Sequence, residues 1–515
     1  MLPSRSIDIR PKNYTTDDNL KQNSALSLLL ALFCLQQVSF GQSQGNHRAL
    51  SVFVYFRIHP EAWQWFAAPP FTSRYGYAES LLRFGVAQRS RRWDWKLEAA
   101  QTALLDIPRN AISSDSAQSQ LGFGGSFYAA NNNHSNSAAL FLKQAFVRYN
   151  FRKDDKELRL GRYEFFDGAE TTPSNATMRW LQTYRVAQRL IGNFGLVNAQ
   201  RSFDGFDGHY ENLAASNGDN WDLTAMVSRA DQGAFTDNGN PELNVDVQYL
   251  AFTRYALHQR LLWRAFGIGY HDGRIGVLKV DNRPLALRQT DQKDIRLGTY
   301  GGDFIASVPA RKVNFDLVGW GLLQSGNWGE QQDRADAWLL EGGAQLTHLP
   351  TEPWLRGGWS ATSGDNTPDN NRHSTFFMIL PSPYIYARAL SYNMMNNKDG
   401  YLELIDRPKK HLELRADLHW LELSSGNDLW YQGGGAFNST SFGYIGRPSG
   451  GHSSFASIAD ISCYWQITSR LNLNMYYSYT EGKSVVVADY PSGRSGQYGF
   501  AELIYQWGLA QRSGR

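Results

Sequence analysis

Along this chain apolar and polar side chains repeatedly alternate with a period of two, over stretches as long as a tilted membrane crossing. Leu412, Leu414, Ala416, Leu418 and Trp420 alternate with Glu413, Arg415, Asp417 and His419. Leu471, Leu473, Met475, Tyr477 and Tyr479 alternate with Asn472, Asn474, Tyr476 and Ser478. The same beat runs through Trp93–Ala99, Trp221–Val227, Val245–Tyr255, Ile295–Thr299, Val313–Leu317 and Ala501–Trp507. A period of two places alternate side chains on opposite faces of a strand. Strands of about 9–11 residues cross the hydrocarbon when tilted, and only a closed sheet satisfies every backbone group there. The expectation is an all-β fold, a single transmembrane antiparallel β-barrel of about 16–18 strands with long extracellular loops and short periplasmic turns.

Composition agrees. Aromatic residues make up 14% and glycines number 47, while the mean hydropathy is only −0.46. A helical membrane protein would need several runs of about 20 apolar residues. One apolar run is present, Ala25–Leu35, preceded by Lys21 and followed by Ser39-Phe40-Gly41. That order reads as a secretory leader. The expected organisation is a signal peptide over 1–41, a lead-in segment over 42–75, the barrel over 76–507 and a tail over 508–515. A soluble β-sandwich or propeller also alternates, but its strands run to about five or six residues. The net charge is +3, so charge gives no argument for nucleic acid as a partner. With Cys34 in the leader, Cys463 stands alone, and one chain can build neither a disulfide framework nor a thiolate metal site.

Links between strands differ in length. Ile107–Ala139 and Ser363–Asn397 are long, whereas Gly426-Asn427-Asp428 and Thr468-Ser469-Arg470 read as short turns. The inward face is expected to carry Asp94, Glu98, Asp222, Asp246, Asp294, Asp316, Glu341, Glu413, Asp417 and Glu502 among its basic residues. Trp93 and Trp95, on the lipid parity, read as girdle residues. His209 beside Asp207 and His419 beside Asp417 read as hydrogen bonding within the lumen. Oxygen ligands for Ca²⁺ around Asp365–Asp369 match no established loop spacing.

The stretch Leu158–Tyr210 stands apart: two strands joined by a long, arginine-rich excursion with no continuous apolar face. Long excursions from a rigid scaffold commonly carry function. It contains Gly161-Arg162-Tyr163-Glu164, Arg189-Leu190-Ile191-Gly192 and Arg201-Ser202-Phe203-Asp204-Gly205. Further on come Tyr386-Ala387-Arg388-Ala389-Leu390 with Asn393, then His411–Leu423, then Asp428-Leu429-Trp430-Tyr431. In order and spacing these blocks resemble the alginate export family of outer-membrane barrels, over roughly residues 75–507.

That resemblance implies a single-chain barrel in a Gram-negative outer membrane that lets a charged exopolysaccharide leave passively through a pore lined by arginine and lysine. The positions matching that role are Arg148, Arg159, Arg162, Arg179, Arg185, Arg189 and Arg201. The planar arginine fork engages carboxylates through two bonds. The competing reading of each is a scaffolding ladder with Glu157, Glu164, Asp204 or Asp207. The mixed charge of the inward face leaves a neutral solute open beside an anionic saccharide. The expected partners are outer-membrane lipid and that saccharide, with periplasmic export partners left open. No Gly-x-Ser-x-Gly elbow, His-Glu-x-x-His or phosphate loop occurs, so no enzyme, cofactor or metal is expected. The alternatives are a barrel enzyme acting on lipid or polysaccharide, and a structural or adhesive barrel whose loops plug its lumen.

Overall fold

A computed structural model describes residues 50–151, 156–211, 219–368, 370–382, 388–389 and 392–508. The leader expected over 1–41 lies outside the described residues. Alternation produces long strands because each buries one face and presents the other to a different medium. The wall begins with β1 (Leu50–Gln64), β2 (Arg74–Gln88), β3 (Trp93–Leu105), β4 (Ser137–Asn150), β5 (Lys156–Tyr163) and β6 (Phe203–Tyr210). It continues with β7 (Asn220–Asp231), β8 (Glu242–Ala256), β9 (Leu261–Asp272), β10 (Ile295–Pro309), β11 (Asn314–Trp328), β12 (Gln331–Gln345) and β13 (Trp354–Thr362). A short inner strand, β14 (Arg372–His373), precedes β15 (Asn397–Lys409) and β16 (Leu412–Leu423). An inner ribbon of β17 (Leu429–Gly433) and β18 (Tyr444–Pro448) comes before β19 (Ser454–Gln466), β20 (Leu471–Gly482) and β21 (Ser495–Trp507).

Each wall strand pairs antiparallel with its neighbours, and β1 closes the cylinder against β21, from Val54 opposite Trp507 to Gln64 opposite Gln497. The result is an 18-strand closed antiparallel barrel, at the upper end of the expected range. The first strand starts at Leu50, so the wall takes in part of the segment expected as a lead-in. Links alternate as expected. Residues 106–136, 164–202, 363–396 and 424–453 crowd one end, and residues 89–92, 257–260, 310–313 and 467–470 turn at the other. Long loops mark the cell-surface end of such a barrel. Gly426–Asp428 is therefore part of a long cell-surface loop, whereas Thr468–Arg470 is a short periplasmic turn.

The outer face is apolar, with Leu160 64% exposed and Leu140, Leu250, Leu323, Leu418 and Ile461 similarly bare. Trp93 packs against Tyr149 with ring centroids 4.8 Å apart, and Trp221 stacks on Phe252 at 4.6 Å, at the short-turn end. These rings form an interfacial girdle. Two acids depart from the expected parity. Val245, Val247 and Tyr249 are buried inward, as are Ile295, Leu297 and Thr299. Asp246 and Asp294 therefore face outward, near the cell-surface rim, where Asp246 meets Arg229 at 2.8 Å and Asp294 meets His271 at 2.9 Å. In these rim segments the apolar row is the inner one, because it packs against loops rather than water, and the outer row (Asn244, Asp246, Gln248 on β8) is polar.

Candidate functional site

Loops fill the cell-surface half of the lumen. Phe235 lies against Phe123, Phe127, Phe194 and Phe437, with ring centroids 5.1–5.5 Å apart. These five rings come from four different loops, and all are buried. Phe376, Phe377, Met378, Ile379 and Leu380 are buried with them. Loop 363–396 docks on the β11–β12 wall. Gln324 accepts the Phe377 N–H at 2.9 Å and donates to its carbonyl at 3.1 Å. His373 on β14 contacts Asp333 at 2.6 Å and stacks on Trp328 at 4.1 Å.

Loop 164–202 reaches furthest in. Glu170 receives Arg264 from β9 at 3.2 Å. Asn175 caps a short helix, Ala176–Leu181, by accepting the Met178 N–H at 3.1 Å. Around it Ser174 donates its N–H to Gln259 of a periplasmic turn at 3.0 Å, and Trp180 packs against Trp354 with ring centroids 4.7 Å apart. The loop thus touches the periplasmic mouth before climbing back. On the return Arg185 forms two bonds to Glu341 of β12, at 2.8 and 2.7 Å, over the Tyr401 ring. Arg189 donates to the Arg185 carbonyl at 2.7 Å and lies 3.6 Å from Glu341. Asp167 accepts the N–H groups of Leu190 and Ile191 at 3.1 and 2.8 Å, and burial pushes its pKa up to about 7 despite Arg264.

Among the described residues, two cavities lie beside this loop. One, of about 340 Å³, lies between its climbing limb and the wall of β1, β15, β16 and β19–β21, lined by Arg57, Arg185, Arg388 and Arg415 together with Glu403, Glu413, Asp417, Asp460 and Glu502. The other, of about 430 Å³, lies against the wall from β2 to β7, with Arg89, Lys96, Arg148 and Arg159 beside Asp94, Glu157, Glu164 and Asp207.

The seven expected arginines divide. Arg148 and Arg159 line the larger cavity, and Arg185 the smaller. Arg148 lies 3.2 Å from Glu157, and Arg159 grips Asp207 at 2.9 and 2.6 Å. Arg189 is wedged between loop and wall. Arg179 is exposed near the periplasmic mouth and donates to the carbonyls of Pro173 and Ser174. Arg162 does not line the lumen. Three residues from Arg159 on one strand, it takes the opposite face, where it pairs with Asp204 at 2.8 Å. Arg201 does not line it either. It is fully buried in the loop plug and donates to the carbonyls of Gly192, Leu380, Gly434 and Ala436 at 3.0–3.1 Å. Burial lowers its pKa to about 10. Arg57, Arg89, Lys96, Arg388 and Arg415 were not expected. Arg388 lies in loop 363–396, where parity gives no direction, and Arg415 lies on the cleanest alternating strand, where parity turns it inward. His419 meets Asp399 at 2.9 Å rather than Asp417.

Residues 109–482 match the family described as Alginate export. The chain belongs to the alginate export family. No curated protein sequence matches it. Among solved structures it is similar to Pseudomonas aeruginosa OccK2 (OpdF) in complex with glucuronate, at 9% identity over 90% of this chain and 98% of that one, TM-score 0.54. It is also similar to Acinetobacter baumannii OccAB2 (10% identity, 90% and 99% covered, TM-score 0.56). A BenF-like porin from Pseudomonas fluorescens gives 9% identity, 90% and 99% covered, and TM-score 0.56. At such identities the likeness is one of fold. This member of the alginate export family is thus an outer-membrane channel of a Gram-negative bacterium, with its lumen narrowed by its own loops.

Proposed function

We propose that the protein carries an anionic saccharide across the outer membrane passively, down its gradient, through the two cavities beside loop 164–202. The observation that carries this reading is the larger cavity. Arg148 and Arg159 lie 5.8 and 5.4 Å from the Phe146 ring, with Lys96 and Arg89 on the same lining. Guanidinium forks bind carboxylates through paired bonds, and an aromatic face suits the C–H surface of a sugar ring. In a low-dielectric constriction such a cluster attracts anions. The glucuronate held by OccK2, a protein of similar fold, agrees in chemical class. Transport requires the loop plug to move.

The test is planar-bilayer recording with the purified full chain. Wild type is expected to show anion-preferring conductance that a short oligouronate blocks. Neutralising Arg148 and Arg159 to glutamine is expected to weaken both anion preference and block. Unchanged preference in the double variant would defeat the site. The packed rings around Phe235 favour a second reading, a barrel that conducts nothing. Zero conductance in wild type, and also after Arg201→Met loosens the plug, would establish it.

A further inference from the structure

The inner wall is not uniform. Where loops dock, Arg264 meets Asp303 at 2.7 Å, Gln324 meets Thr299 at 3.0 Å, and Glu341 meets Arg185. In the smaller cavity Glu413 pairs with Arg407 and Arg415, Glu502 with Arg57, and Glu403 lies 3.5 Å from Arg356, but one part of that wall differs. Glu403, Asp417 and Asp460 stand directly opposite one another on β15, β16 and β19. Like charges placed directly opposite across a sheet repel. The register continues from Asp460 to Ser478 and from Ser478 to Tyr498. Asp460 is 5% exposed and Tyr476 likewise, and both line the cavity. Asp460 Oδ2, Asn474 Oδ1 and the hydroxyls of Tyr476, Ser478 and Tyr498 find no hydrogen-bond partner among the described residues. Buried polar groups are seldom left so. Across the same cavity the Arg388 guanidinium lies 5.9 Å from the Tyr476 ring and 5.4 Å from Phe500.

We propose that this wall, centred on Asp460, Asn474 and Tyr476, is a subsite that accepts hydrogen bonds from the hydroxyl groups of a saccharide, while Arg388 takes its carboxylate. This deepens the proposed function and rests on it. The carboxylate and amide oxygens accept, and the hydroxyls of Tyr476, Ser478 and Tyr498 both donate and accept, so the surface suits a ligand rich in hydroxyl groups. The acid row and the facing arginine together sort the two ends of a sugar acid. Asp417 and Asp460 form no ion pair within 4 Å among the described residues, and two such acids side by side are strained where no donor meets them, which gives the subsite a signature that a structural network lacks.

The experiment measures binding by calorimetry to the full chain in detergent, using neutral maltotriose and a galacturonate trimer. Asp460→Ser and Tyr476→Phe are each expected to weaken binding of both probes about 3–10-fold, the range for one lost hydrogen bond. Asp460→Ser is expected to raise the thermal midpoint of the barrel, since it removes one of three opposed acids. Arg388→Gln is expected to weaken only the charged trimer. Unchanged binding in Asp460→Ser and Tyr476→Phe, with wild type still binding, overturns the subsite and leaves the channel reading standing. Weakened binding together with a lowered midpoint in Asp460→Ser overturns it too, because the row would then be scaffold. Tighter binding of a glucosamine trimer than of either probe reassigns the wall to ammonium groups. Wild type binding neither probe overturns the subsite and the saccharide reading together.

Discussion

Arg185 and Glu341 meet through two guanidinium nitrogens, Nε and Nη2, and both carboxylate oxygens, at 2.8 and 2.7 Å, one on the inward loop and the other on the wall. Burial opposes the Arg185 charge, and Glu341 beside it more than offsets that, holding the guanidinium well above its ordinary value. The pair fixes the loop's climbing limb across the lumen. Removing one partner from such a pair leaves a buried charge alone, at about 3–5 kcal/mol, whereas replacing both by apolar residues is near neutral. Arg185→Met and Glu341→Leu are each expected to lower the thermal midpoint, and the double variant to recover most of it. A double variant as unstable as the singles would show that the pair does not act as a unit.

Arg201 joins three loops. Its four carbonyl partners lie on residues 192, 380, 434 and 436, far apart in sequence and close only in the plug. Arg201→Met keeps the volume and removes all four bonds. The wall needs none of them, so the barrel is expected to keep its heat-modifiable mobility in gel electrophoresis. Its open probability in bilayers is expected to rise. A silent variant with an intact barrel, beside a silent wild type, would support the non-conducting reading.

Asp167 predicts a pH response. Its pKa is raised in the fold to about 7, so the stability it contributes is present below its unfolded value near 4 and is lost as pH rises through 7. The charged form then sits buried with only partial compensation from Arg264. Loop 164–202 is therefore expected to be held more firmly at pH 5 than at pH 8. Open probability should increase between those values, and Asp167→Asn should abolish the change. An equal response in the variant would assign it to another group.

Parity makes a sharper prediction. Arg159 faces the larger cavity, and Arg162 faces the outside beside Asp204. Reversal potentials in a salt gradient should shift toward cations in Arg159→Gln and stay at the wild-type value in Arg162→Gln. A shift in both would mean that charge near the rim, not the lumen lining, sets selectivity.

Much of the barrel was legible because the signal is local. Leu414, Leu418 and Trp420 face lipid while Glu413, Asp417 and His419 face inward, as two-residue alternation requires. The rule misled where the inner face, not the outer, was the apolar one. At Val245–Ala251 the inner apolar row packs against loops, and nothing within that strand says so. The arginines were recognisable as a group but not in their destinations. Arg148, Arg159 and Arg185 reach cavities, Arg201 ends inside a plug, and Arg162 leaves the lumen altogether.

The chain's own order of residues determined the closed sheet, its long and short ends, and the side of each clean strand that meets lipid. These follow from backbone geometry repeated every two residues. Only the tertiary structure decided which loops turn inward and which cations they leave facing water. That outcome depends on rings such as Phe235 and Phe437 meeting across two hundred residues of chain, a contact that no local pattern encodes.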